Sequence, residues 1–308
     1  FCASRSWSPK RAARAAAQQW PDVPGLIVGE RSWSFAELWA DARASASAML
    51  ASGIGHGDRI GIWGPNTREW ILAALGAQTV GATIVPMNTR FKGSEAAEIL
   101  RRAKAKLLFA PADFLGQDYA TLIAGEDLPD LAGTIHLDHG FEAFVARGKG
   151  CNDPAVDAAF ARVGPDDICD IIFTSGTTGR PKGALTAHTQ ATQIFGDWAV
   201  RVDLRPGDRY LIVNPFFHTF GYKAGWSACL VRGATIVPMA TFDVGIVTGR
   251  GWARTTPDGY SESGPSRRAL TTGANFRPRR VRYATTSKRS PLRATTCLSM
   301  RALMRAPS

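Results

Sequence analysis

The chain has no apolar run near the roughly 20 residues that a membrane-spanning helix requires, so a soluble protein is expected. Its five cysteines, Cys2, Cys151, Cys169, Cys229 and Cys297, are scattered, and none shares a metal-ligand or redox spacing with another. They read as reduced thiols of a cytoplasmic protein. A secretory leader is not expected either. The first residue is Phe1, and the basic stretch Arg5–Arg14 is followed by no apolar segment, which suggests a processed or misassigned start. Two common phosphate-binding fingerprints are also missing. There is no Gly-x-Gly-x-x-Gly after a strand, and the one glycine-rich stretch ending in lysine has Pro181 before Lys182 and Gly183 after it, where a Walker A loop needs glycine and a hydroxyl residue.

Acidic residues are scarce in one part of the chain only. Residues 244–308 hold twelve arginines and one lysine against Asp258 and Glu262, an excess equal to the +11 of the whole chain. The first 243 residues are therefore neutral. Beyond Val244 apolar residues are too sparse to supply a strand or helix face, so a disordered basic tail is expected there.

The neutral part alternates strand and helix signals. A helix is expected over 8–20, a short strand and turn over 26–33, and a helix from Phe35 to about Ala51. Ser34 and Glu37 have the spacing of a capping box for that helix. Strands follow at 58–63, 82–86 and 106–110, separated by a buried helix from Thr67 to about Val80 and an amphipathic helix over 94–104 opened by Ser94 as its cap. Residues 111–165 read as peripheral. A buried strand over 168–173, a helix from His188 to about Val200, a strand over 208–213, an aromatic turn over 214–222, a buried helix to about Leu230 and a strand over 234–237 complete the pattern. This alternation predicts an α/β fold of layered, largely parallel sheets covered by helices.

The central stretch, Thr174-Ser175-Gly176-Thr177-Thr178-Gly179-Arg180-Pro181-Lys182-Gly183, follows the buried strand directly. Such a loop can surround a polyphosphate with backbone N–H groups, hydroxyls and one ammonium, and glycine lets the backbone approach the phosphate oxygens. With Phe173, this stretch resembles the phosphate-binding signature of the adenylate-forming superfamily, which includes acyl-CoA synthetases, luciferases and peptide-synthetase adenylation domains. Four more stretches resemble family segments in the family's order: Trp33–Leu38, Asp58–Asn66, Gly81–Asn88, and Asn214–His218 followed by Gly221. Residues 8–243 are accordingly identified as a partial N-terminal AMP-binding domain of an acyl-CoA synthetase, a protein of fatty acid metabolism, with 244–308 as a tail unlike the family.

The resemblance implies an ATP-dependent acid–thiol ligase. A hydrophobic carboxylic acid attacks ATP to give an acyl-adenylate, and coenzyme A then displaces AMP. Thr174, Ser175, Gly176, Thr177, Thr178, Gly179 and Lys182 would bind the nucleotide, Thr174 would stand near Mg²⁺, and His218 would take the family's aromatic position beside the carboxylate. Phe216, Phe217 and Tyr222 are candidates either for an acyl pocket or for the core, and Lys223 reads as a solvated charge. The double phenylalanine resembles a subgroup of fatty-acid and steroid-ring-acid ligases.

The family elements that stack the adenine, bind the ribose and supply a C-terminal lysine have no match in 244–308. A truncation or reading-frame shift after about residue 243 is expected, leaving a weak or inactive ligase. The DNA read in another frame after Asp243 is then expected to continue the synthetase. Two alternatives stand beside this. The chain is a nucleotide-binding fragment or pseudoenzyme, or the cluster Arg277, Arg279, Arg280 and Arg282 is an arm for nucleic acid or an anionic membrane. On the main reading no specific nucleic acid is expected, and membrane contact is at most peripheral.

Overall fold

The computed structural model describes residues 8–150, 153–174, 181–241 and 281–283. Its elements alternate as the sequence pattern requires. Helix α1 (Pro9–Gln19) starts with proline in its first turn behind the capping residue Ser8, and β1 (Pro24–Val28) and β2 (Arg31–Ser34) form a hairpin. Helix α2 (Phe35–Ala51) opens with the expected capping box. The Glu37 N–H donates to Ser34 Oγ at 3.2 Å, and the Ser34 N–H donates to Glu37 Oε2 at 2.7 Å.

Next come β3 (Arg59–Trp63), α3 (Arg68–Thr79), β4 (Thr83–Met87), α4 (Gly93–Ala103) and β5 (Leu107–Ala110). Ser94 does not cap α4. Lys92 holds that position, and Glu95 reaches back to accept the Lys92 N–H at 2.8 Å. The stretch expected to be peripheral carries α5 (Tyr119–Leu122), β6 (Gly133–His136), α6 (Phe141–Ala146), a 3₁₀ turn (Arg147–Gly150) and α7 (Asp153–Arg162).

The chain continues through β7 (Ile168–Thr174), β8 (Lys182–Ala187), α8 (His188–Arg201) and β9 (Arg209–Ile212). The short α9 (Thr219–Gly221) runs into a π-helical turn (Tyr222–Ser227), followed by α10 (Ala228–Arg232) and β10 (Thr235–Pro238). Strand β11 (Val281–Tyr283) pairs in parallel with β9, so one short piece of the tail region does supply a strand. The other residues of 242–308, Arg277, Arg279 and Arg280 among them, lie outside the described residues, as does the side chain of Arg282.

Two sheets result. One has the order β6-β5-β3-β4-β7-β8, parallel except for β8, which turns back antiparallel on β7. The other has the order β11-β9-β10-β1-β2, parallel except for β2. Helix α3 joins them. Every residue from Trp70 to Thr79 is buried, as expected for a helix apolar on all sides. It touches β3 and β4 and also sets Trp70 against Phe216, Tyr222 and Trp226 at ring-centroid distances of 5.5, 6.1 and 6.2 Å. Among the described residues no helix is long and apolar enough to cross a membrane.

Candidate functional site

Because β7 runs parallel to β4, Thr174 lies at the same sheet end as Met87 and the Asn88–Arg90 loop beyond it. Parallel sheets bind ligands outside the carboxyl ends of their strands, where loops from several strands meet. Thr174 pairs with Lys182 across the mouth of the β7–β8 hairpin, and its hydroxyl lies 3.5 Å from the Lys182 carbonyl. Both residues are exposed. Lys182 is exposed and has no carboxylate partner among the described residues. Arg102 of α4 steadies the foot of the loop. Its guanidinium lies over the Phe173 ring, 5.8 Å from the centroid, and donates to the Pro181 carbonyl. Ser175, Gly176, Thr177, Thr178 and Gly179, the rest of the expected cradle, lie outside the described residues.

The aromatic turn after β9 is built by a residue whose role the sequence did not reveal. Asn66, 5% exposed at the start of α3, donates through Nδ2 to the Asn214 carbonyl at 2.9 Å. Its Oδ1 accepts the Phe216 N–H at 2.6 Å. One buried amide thus holds both Asn214 and Phe216 of the turn. Gly221 closes it, since a Cβ there would sit 2.1 Å from the Pro215 carbonyl oxygen and 2.4 Å from that of Asn214. His218 is exposed and caps α9, with Nδ1 accepting the Phe220 N–H at 3.3 Å.

The aromatic candidates divide. Phe216 and Tyr222 are fully buried against Trp70 and belong to the core. Phe217 is half-buried and lines a groove of about 540 Å³ at the strand ends. Pro65 and Asn66 come to that groove from beyond β3, Asn88, Thr89 and Arg90 from beyond β4, and Met239 from beyond β10. Trp63 and Tyr119 support the wall. Their rings stack at 4.4 Å, and they donate to the Asn88 and Thr89 carbonyls at 2.8 and 2.9 Å. The hairpin mouth, the groove and the His218 turn all follow carboxyl ends of parallel strands.

Lys223 corrects the sequence reading outright. It is 4% exposed rather than solvated, and its Nζ lies 2.9 Å from Asp170 Oδ1. A second cavity, of about 690 Å³, lies away from all of these residues between α2 and α6. Its arginines are already paired, Arg43 with Asp153 and Asp157, and Arg68 with Asp41 and Glu69.

The residues present suit a nucleotide. Thr174 carries an exposed hydroxyl and Lys182 an exposed ammonium at the hairpin mouth, and the groove lined by Phe217 lies at the same end of the sheet as Asn88 and Arg90. They do not form a metal cage, because no cluster of three His, Cys, Asp or Glu able to hold a metal exists among the described residues. A divalent ion would therefore depend on phosphate oxygens for most of its ligands.

A profile of the family described as AMP-binding enzyme matches residues 13–249. Among curated proteins, the chain is 45% identical over 231 residues to a 7a-methyl-1,5-dioxo-octahydro-inden-4-yl propanoyl:CoA ligase of Mycobacterium tuberculosis, covering 73% of this chain and 45% of that one. A ligase of the same name from Rhodococcus jostii is 41% identical over 245 residues, covering 76% and 48%. The human mitochondrial medium-chain acyl-CoA ligase ACSF2 is 30% identical over 254 residues, covering 72% and 40%. The chain thus spans about half the length of the curated relatives it matches, or less. Among solved structures, the N-terminal domain of FACL13 from Mycobacterium tuberculosis aligns with a TM-score of 0.70 at 28% identity, covering 80% of this chain and 61% of that one.

Proposed function

The chain belongs to the AMP-binding enzyme family, and from that premise we propose that it is the nucleotide- and acid-facing part of an acid–CoA ligase. Its reaction joins a hydrophobic carboxylate to the α-phosphate of ATP, releasing pyrophosphate, and coenzyme A then displaces AMP to give the thioester. One observation carries this reading: Thr174 and Lys182 meet at the mouth of a strand-end hairpin, on the same sheet end as the groove lined by Phe217.

In this reading Lys182 and the hydroxyl of Thr174 bind the phosphates, with charge–charge attraction strongest as negative charge moves onto the departing pyrophosphate. The Thr174 hydroxyl would contact a Mg²⁺ ion carried by the triphosphate, and such an ion would offset that charge. His218 lies against the acid, and Phe217 with Met239 contacts its apolar body. We favour a bulky alicyclic acid over a straight chain, because identity to the two ring-acid ligases exceeds identity to the medium-chain enzyme. The buried free thiols Cys169 and Cys229 support a cytoplasmic location.

The chain by itself is expected to exchange pyrophosphate into ATP slowly and to form little thioester. Lys182→Met should lower acid-dependent exchange by about 10²-fold, the loss seen when one charge-stabilising donor is removed. His218→Ala should act mainly through the KM for the acid. Absence of both ATP binding and exchange, with octanoate and with an alicyclic propanoate alike, would sink the reading. Rapid thioester formation by the chain alone would show that it lacks nothing essential.

A further inference from the structure

Beneath the site lies a buried ion pair. Asp170, in the middle of β7, has no exposure, and Lys223, in the π-helical turn, is almost as buried. The Lys223 ammonium reaches Asp170 Oδ1 at 2.9 Å and donates to Thr186 Oγ1 at 2.9 Å. Asp170 and Thr186 are cross-strand partners on β7 and β8. One ammonium therefore bridges both arms of the hairpin whose mouth carries Thr174 and Lys182. The other carboxylate oxygen accepts the Cys169 S–H at 3.0 Å. Burial, and then the charge of Asp170, push the Cys169 thiol well above its ordinary range, so it stays a donor.

Stability alone is a poor account of this pair. Withdrawing two charges from water costs several kcal/mol per ion, and an apolar pair of similar volume is often as stable or more so. What directed contacts add is a single geometry. At its other end Lys223 belongs to the turn that Asn66 clamps and that Gly221 seats on the carbonyls of Asn214 and Pro215. A π-helical segment inside a helix often marks such a functional junction. It is also kinked here, at Gly225, whose backbone leaves helical geometry.

We propose that Lys223 is a positioning residue that locks the β7–β8 hairpin to the His218 turn, so that the phosphate-facing and acid-facing parts of the site move as one body. The proposal rests on the functional reading above for what the two parts bind, but the coupling itself can be tested without ligand.

The test is hydrogen exchange on the full chain, comparing the parent protein with Lys223→Met/Asp170→Leu. The single Lys223→Met variant would leave Asp170 buried and unpaired and is expected to fold poorly. In the double variant, amides of 182–187 and 214–223 should exchange about tenfold faster while those of 59–63 and 83–87 keep their rates. Unchanged exchange at the hairpin, or one uniform change everywhere, overturns the proposal. Adding Mg·ATP should protect 182–187 in both proteins, but should carry protection on to 214–221 only in the parent. Protection that still reaches 214–221 in the double variant also overturns it. Absence of any Mg·ATP effect in the parent counts against the nucleotide reading, and the ligand-free rates then decide the coupling alone.

Discussion

Strands β3 and β4 and the β7–β8 hairpin belong to one sheet, yet different chemistry holds them. From Ile60 to Trp63 and from Thr83 to Met87 every residue is buried, with helices on both sides. Among the described residues of the hairpin's two strands only Cys169 and Asp170 are fully buried, and β8 has no buried residue at all. The inner strands are fixed by apolar contact, which needs no particular partner. The hairpin is fixed by the Asp170–Lys223 pair, by Arg102 at its foot and by its register on β7. The reactive-looking residues stand on the less buried element, and a few polar contacts hold it at the required place.

The largest effect that sharpens this contrast is in the inner strands. Ile62 has no exposure and lies within the main core. Ile62→Ala should cost about 2–5 kcal/mol by urea unfolding, from lost transfer energy and the cavity left behind. A loss under about 1 kcal/mol would mean that β3 relaxes around the gap, and the contrast would fail.

An intermediate effect belongs to the hairpin's base. His188, directly after β8, is fully buried, and neither ring nitrogen has a hydrogen-bond partner among the described residues. Burial first, and then the nearby Lys10 charge, lower its pKa from 6.5 to about 3. The unfolded chain therefore takes up this proton first as the pH falls. The stability that neutral His188 permits is whole above pH 6.5 and is lost between pH 6.5 and about 3. The slope is about 1.4 kcal/mol per pH unit. Lys10, lowered by burial from 10.5 to about 7, acts in a separate window and loses its share between pH 10.5 and about 7. His188→Leu should thus flatten the fall of Tm between pH 6.5 and 4. An identical acid limb in the variant would show that the hairpin's base is not the acid-sensitive part.

The same contrast explains what the sequence could disclose. The inner strands were legible because each is an apolar run bounded by turn residues, and α2 because Ser34 and Glu37 carry their signal locally. The loop was legible as a signature; Thr174 and Lys182 meet at the carboxyl end of β7, and His218 lies in the turn that follows β9. Strand β8 was not legible: Lys-Gly-Ala-Leu-Thr-Ala is short and has no clean alternation. The elements between 111 and 165 are short as well, and Ser94 missed its role by two positions because Lys92 holds the capping position. Lys223 was misread because its burial depends on the hairpin register, which no local pattern contains. A signal did exist. Asp170 interrupts an otherwise apolar strand, and a buried carboxylate needs a cation or several donors from elsewhere.

The smallest effect is the most discriminating. Leu185 on β8 is 63% exposed and is the cross-strand partner of Ile171. It forms one wall of a cavity of about 310 Å³ shared with Ile168, His56 and Asp167. With so little area withdrawn from water, Leu185→Ala should change unfolding free energy by no more than about 0.5 kcal/mol. The same variant should leave pyrophosphate exchange unchanged, since Leu185 is neither at the hairpin mouth nor among the contacts that bridge its arms. A loss beyond about 1.5 kcal/mol could come only from a face that is covered in the working protein, because burying a leucine is worth about that much. The hairpin would then be held by apolar packing as β3 and β4 are, and its difference from them would be one of degree.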